Sequence, residues 1–146
     1  MRITRHSDYA LRTLMYLALK QGSVVTINEI AERYGISRNH LTKVVNRLHQ
    51  LGYLRATRGK NGGLTLASAP GQISVGAVFR DMESSLAVVE CVDEPGACVL
   101  SPSCRLQGLF NQAQAAFLAQ LDAHTLADLL PPETGRQLRD LLAIER

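Results

Sequence analysis

Gly35-Ile36-Ser37-Arg38-Asn39-His40-Leu41-Thr42-Lys43-Val44-Val45-Asn46-Arg47-Leu48 is the stretch on which the fold turns. Ser37 carries the short hydroxyl that accepts a bond from the free amides of a helix start, and it predicts a helix from Arg38 to Gln50, closed by Gly52. Upstream, Thr26 caps a shorter pattern from Ile27 to Tyr34 that Gly35 stops. Two helices joined by a tight Gly-Ile-Ser turn have the anatomy of a helix-turn-helix. The second would be the reader, because Arg38, Asn39, His40 and Lys43 fall in its first turns, where such proteins reach base edges.

Outward from this centre the pattern stays consistent. Before it, Leu11, Leu14, Met15, Leu17 and Ala18 predict a first helix from Ser7 to about Lys20, with Gly22 placed to stop it and Val24-Val25 able to make a short strand. After it, residues 53–57 and 64–67 read as strands around Arg58-Gly59-Lys60-Asn61-Gly62-Gly63. The Asn-Gly step favours a hairpin, and the cations Arg58 and Lys60 at its tip suit phosphate or a minor groove. The fold class expected is therefore mainly α with a small β-hairpin wing: a winged helix-turn-helix domain.

Ser68-Ala69-Pro70-Gly71 breaks the chain, and Ser74 caps a short helix through about Met82. A cysteine-containing loop follows. Ser101 and Pro102 then suit the N-cap and first position of a long helix reaching about Ala123, which puts Cys104 at its third position. Leu106, Phe110, Ala113, Phe117 and Leu121 form its apolar stripe, and Leu109, Ala116, Leu118 and Ala119 widen that stripe beyond one face. A partner helix is implied, so this is expected to be a long dimerisation helix in a homodimer, which matches palindromic DNA. The expected organisation is 1–83 for DNA binding, 84–101 for the cysteine loop, and 102–146 for the dimerisation helix and a tail with Pro131-Pro132 and a weak last helix.

Charge divides the chain in the same place. Residues 1–60 hold 11 Lys and Arg against 3 acids, a net +8, while residues 61–146 hold 5 against 10, a net −5. Clustered positive charge suits double-stranded DNA. No apolar run approaches the roughly 18 residues of a membrane span, and the first residues lack a secretory apolar core, so a cytoplasmic protein with no membrane role is expected. No Cys-x-x-Cys pair, catalytic triad or phosphate loop is visible, and an enzyme is not expected.

The three cysteines, Cys91-x6-Cys98-x5-Cys104, are an odd number and lie within one short segment. Their spacing is too open for the paired knuckle of most structural zinc sites, and a disulfide framework would want an even count. Soft thiolates on a wide loop suit an iron–sulfur cluster, zinc or unliganded thiols, and the spacing by itself leaves these open. A thiolate at Cys104 would gain from the positive end of the helix dipole.

Taken together, the motifs Thr4-Arg-His-Ser-Asp-Tyr-Ala-Leu-Arg12, Gly35 to Leu48, Arg58-Gly-Lys-Asn-Gly-Gly-Leu-Thr-Leu66, Ser101-Pro-Ser-Cys-Arg-Leu106 and His124-Thr-Leu-Ala-Asp-Leu-Leu130 resemble the iron–sulfur winged-helix transcription regulators nearly end to end. That family includes nitric oxide sensors and regulators of cluster biogenesis. The second group has a histidine three residues after the last cysteine, where this chain has Gln107, so the resemblance leans to the nitric oxide sensors. It implies an iron–sulfur cluster, 4Fe-4S in preference to 2Fe-2S, held by Cys91, Cys98 and Cys104. It also implies that Asp8 supplies the fourth ligand from the other subunit, with His6 a weaker rival. A repressor that binds operator DNA while the cluster is intact, and leaves it when nitric oxide attacks, is the implied function. The alternatives are a regulator responding to iron–sulfur or redox status, and a zinc-binding or thiol-redox protein.

Overall fold

A computed structural model describes residues 3–94 and 96–145 of the 146-residue chain. Its helices are α1 (Arg5–Leu19), α2 (Ile27–Tyr34), α3 (Arg38–Gln50), α4 (Val75–Met82), α5 (Glu90–Asp93), α6 (Arg105–Asp122) and α7 (Pro132–Leu141). The strands β1 (Leu54–Thr57) and β2 (Gly63–Leu66) pair antiparallel with Leu54 opposite Leu66, forming the wing of a winged helix-turn-helix.

Local capping explains where the first helices start. The amides of Glu29, His40 and Ala77 donate to the hydroxyls of Thr26, Ser37 and Ser74 at 3.1, 3.4 and 3.2 Å. α1 starts earlier than its apolar pattern suggests because Thr4 caps it, accepting from the Ser7 amide at 3.3 Å. Gly35 ends α2 at φ +64°, a left-handed conformation that glycine adopts without strain and that turns the chain sharply into α3.

Two expected elements are shorter than the sequence suggests. The Val24-Val25 strand reduces to one bridge, with the Val25 amide on the Leu64 carbonyl at 3.1 Å and the reverse bond at 2.7 Å. Tyr53 stays outside β1 because its amide is held by the Leu48 carbonyl at 3.0 Å, at the end of α3. The long helix is likewise shorter: Ser101–Ser103 form a separate 3-10 turn, closed by the Ser103 amide on the Leu100 carbonyl at 3.1 Å. Cys104 is then extended (φ −81°, ψ 105°) and stands at the N-cap of α6, not at its third residue.

The core sits under the helix-turn-helix. Leu14, Tyr16, Val25, Ile30, Leu41, Val44, Leu48, Leu54 and Val78 are buried there, and Leu126 and Ile144 return from the C-terminal region to join them. That return is pinned by the Leu126 amide on the Ile73 carbonyl at 2.8 Å and by Arg139 Nε on the Leu19 carbonyl at 3.2 Å.

α6 is different. It packs on α4 through an edge-to-face pair, Phe79 and Phe117, with ring centroids 5.4 Å apart, and through a forked ion pair of Arg80 with Asp122. Gly76 permits the approach, since a Cβ there would fall 1.9 Å from Asp122 Oδ1. Yet none of the 18 residues of α6 is buried, and Leu106 and Leu109 are 57% and 61% exposed.

Candidate DNA-reading face and cysteine site

The first turns of α3 present what a DNA reader needs. Arg38, Asn39 and Lys43 are exposed on one end of the helix, and Arg58 and Lys60 are exposed at the wing tip. His40 is half-buried because its ring packs edge-on against Tyr9 of α1, with centroids 5.2 Å apart at 73°. The reader helix and the start of α1 are thus in contact.

His6 lies in the same neighbourhood. Burial pushes its pKa below the usual histidine range, the nearby cations His40, Arg47 and Lys43 push the same way, and Glu83 opposes them. His6 therefore sits within the electrostatic reach of α3. Arg47, also exposed on α3, belongs to this basic surface.

Glu83, at the C-cap of α4 and directly before the cysteine segment, escaped the sequence reading altogether. Its Oε1 accepts from the Thr4 amide at 3.0 Å, the Thr4 hydroxyl at 3.0 Å and the Ser7 hydroxyl at 2.6 Å. No spacing rule links positions 79 residues apart in sequence. The carboxylate fastens the start of α1 to the point where the cysteine segment begins, and charged acceptors make strong bonds of this kind.

The three cysteines lie on three consecutive pieces of chain: Cys91 in α5, Cys98 in the turn that follows, and Cys104 at the N-cap of α6. All three are half-buried free thiols. Among the described residues no group of three His, Cys, Asp or Glu side chains is gathered closely enough to hold a metal ion. The donor set nevertheless fits a thiolate-bound iron group. Ser101 Oγ, between Cys98 and Cys104, is buried with no hydrogen-bond partner, and its backbone amide donates to the Cys98 carbonyl at 3.1 Å. Three unpaired thiols and an orphaned hydroxyl on one segment supply soft ligands and a spare donor.

Gln107 ties this segment to α6, its Nε2 donating to the Cys91 carbonyl at 2.8 Å. Asp8 stands in the first turn of α1, with its side chain 43% exposed. Its carboxylate is forked with Arg12, Nε to Oδ1 at 3.0 Å and Nη2 to Oδ2 at 3.0 Å, an ordinary pair one helical turn apart.

Comparison with known proteins agrees with this architecture. The pattern of the Rrf2 family, described as "Iron-dependent Transcriptional regulator", matches residues 3–132. The chain is 46% identical to the HTH-type transcriptional regulator NsrR of Geobacillus kaustophilus, over 100% of this chain and 99% of that protein. It is also 46% identical to NsrR of Bacillus subtilis, over 89% of this chain and 90% of that protein. Among solved structures it is similar to CymR, the global cysteine regulator of B. subtilis (TM-score 0.72, 27% identity, 88% of this chain and 95% of that one). IscR of T. potens is similar as well (TM-score 0.71, 27% identity, 89% of this chain and 86% of that one).

Proposed function

Since this chain belongs to the Rrf2 family of iron-dependent transcriptional regulators, we propose that it is a repressor that binds palindromic operator DNA as a homodimer and releases it in response to nitric oxide. Residues 1–83 read the DNA, with Arg38, Asn39, His40 and Lys43 at base edges and Arg58 and Lys60 on phosphate or in a minor groove. The loop 84–101 together with Cys104 supplies the thiols Cys91, Cys98 and Cys104, and residues 102–146 supply the dimer contact. Asp8 of the partner subunit completes the set. When bound, an iron–sulfur cluster, 4Fe-4S in preference to 2Fe-2S, would be held by these three thiolates and one carboxylate and would supply iron able to react with a small molecule.

The observation that carries the reading is the grip of Glu83 on the start of α1. Any rearrangement of the cysteine segment that draws Glu83 away takes an acceptor from three donors at the start of α1. The same turn of α1 carries Tyr9 against His40 of the reader helix. Two readers must stand about 34 Å apart to enter successive major grooves, so a small shift at each is enough to spoil the match. Gln107, standing where a histidine follows the last cysteine by three residues in the regulators of cluster biogenesis, supports the nitric oxide reading over one of iron–sulfur status.

Anaerobic purification followed by iron and acid-labile sulfide analysis tests the proposal. Wild type should be coloured and hold both elements. Cys91→Ala, Cys98→Ala and Cys104→Ala should each lose them while retaining helical content and the dimer, because the core does not use these residues. Stoichiometric zinc without sulfide would contradict it.

A further inference from the structure

We propose that Gln107 is a positioning residue: its carboxamide seats Cys91 beside Cys104 and so sets how the two outer thiols of the segment meet. The inference rests on the reading that these cysteines serve one site. Within the segment the backbone bonds are short-range: Glu94 to Glu90, Ala97 to Glu94, Ser101 to Cys98 and Ser103 to Leu100. Each closes a local turn, and none of these fixes Cys91 relative to α6. The bond from Gln107 Nε2 to the Cys91 carbonyl spans 16 residues, is partly buried and measures 2.8 Å. Among the described residues it is the one side-chain hydrogen bond between the segment and α6.

Its placement matters as much as its length. Gln107 follows Cys104, the N-cap residue of α6, by three residues, the N-cap-to-N3 spacing at which the two side chains share the same end of the helix. A carbonyl drawn to Gln107 is drawn to the end that Cys104 begins. The group also has suitable chemistry. An amide N–H satisfies a carbonyl, whereas a carboxylate would repel it and an alkyl chain would leave it unpaired. Being neutral, the amide leaves the charge of nearby thiolates alone, and as a poor ligand for iron it does not compete with them.

The test uses the full-length, cluster-free chain. Diamide oxidises two thiols to a disulfide, taking up the two electrons and two protons as it becomes a hydrazine, and peptide mass mapping then counts the three possible intramolecular pairs. In wild type the Cys91–Cys104 pair should predominate over both pairs that contain Cys98. In Gln107→Glu and Gln107→Leu its share relative to those pairs should fall about fivefold, the ratio one net hydrogen bond sets. Gln112→Glu, on the same helix and exposed, should leave it unchanged. After reconstitution, iron loss to a chelator should be about fivefold faster in both Gln107 variants than in wild type. A wild-type pairing ratio in either Gln107 variant, or an equal fall in Gln112→Glu, would overturn the inference. The expected pairing in a chain that takes up no iron and sulfide would support the role of Gln107 and count against the cluster reading instead.

Discussion

The helix-turn-helix half and α6 obey different rules. Around α1 to α4 the apolar side chains close on each other, with Leu14, Leu41, Val44 and Val78 wholly buried in a single protomer. Over its 18 residues α6 buries none and leaves Leu106 and Leu109 in water. A helix with so much uncovered apolar surface is normally finished by another helix. The first half closes its apolar surface within the protomer; the second leaves much of its own uncovered. The proposed regulation would use that division, with the α1–α4 half keeping its shape while the contacts of α6 change.

Core truncation should give the largest effect. Leu41→Ala, in the first half, is expected to cost about 2 to 5 kcal/mol in urea denaturation, the usual range for a buried leucine. Leu109→Glu should leave the secondary structure intact and raise the dimer dissociation constant by at least about tenfold, measured by sedimentation. A Leu109→Glu protein that stays dimeric would break the comparison.

Next come the readers. Arg38→Ala should weaken operator binding by about 1 to 3 kcal/mol and relax specificity at the base it contacts. Lys60→Ala should weaken binding evenly across sequences and lower the salt slope by about 1. Glu83→Gln sharpens the comparison, because Glu83 lies outside the hydrophobic core cluster and off α3 while gripping the start of α1. Loss of the charged acceptor should cost operator affinity about fivefold in a fluorescence anisotropy titration and lower stability by about 1 to 3 kcal/mol in urea denaturation.

The smallest effect belongs to Glu29, which accepts from Tyr16 Oη at 2.8 Å and Lys20 Nζ at 2.7 Å. Burial disfavours its charge, but the bonds from Lys20 and Tyr16 outweigh burial and hold its pKa below the ordinary 4.5. A carboxyl depressed on folding stabilises the protein above its unfolded pKa, and that contribution is lost as pH falls through the folded value. Glu29→Gln should therefore flatten the acid side of the stability curve between about pH 6 and pH 3 and leave operator binding unchanged.

How much of this was legible depends on reach. Caps at Thr26, Ser37 and Ser74 act on amides three residues away, so the side chain that makes them lies beside the helix it starts. The Asn-Gly hairpin is local in the same sense. The tie from Glu83 to Thr4 spans 79 residues, and the bond from Gln107 to Cys91 spans 16. No periodicity carries such contacts, because they depend on where packing has already put the backbone. Cys104 shows a subtler failure: Ser101 caps no helix, its hydroxyl being without a partner, and Ser101–Ser103 make only a single 3-10 turn before α6 begins. Asp8 and Arg12 are one helical turn apart, so their pairing was readable in principle and was passed over in favour of a ligand role.

Operator affinity before and after nitric oxide, measured by anisotropy on anaerobically purified protein with Cys98→Ala alongside, tests the central claim most directly. Wild type should bind tightly and lose at least about tenfold in affinity on exposure, a coupling of ordinary allosteric size. Cys98→Ala should bind weakly from the start and not respond. Wild-type affinity that nitric oxide leaves unchanged, or an equal response in Cys98→Ala, would contradict the account.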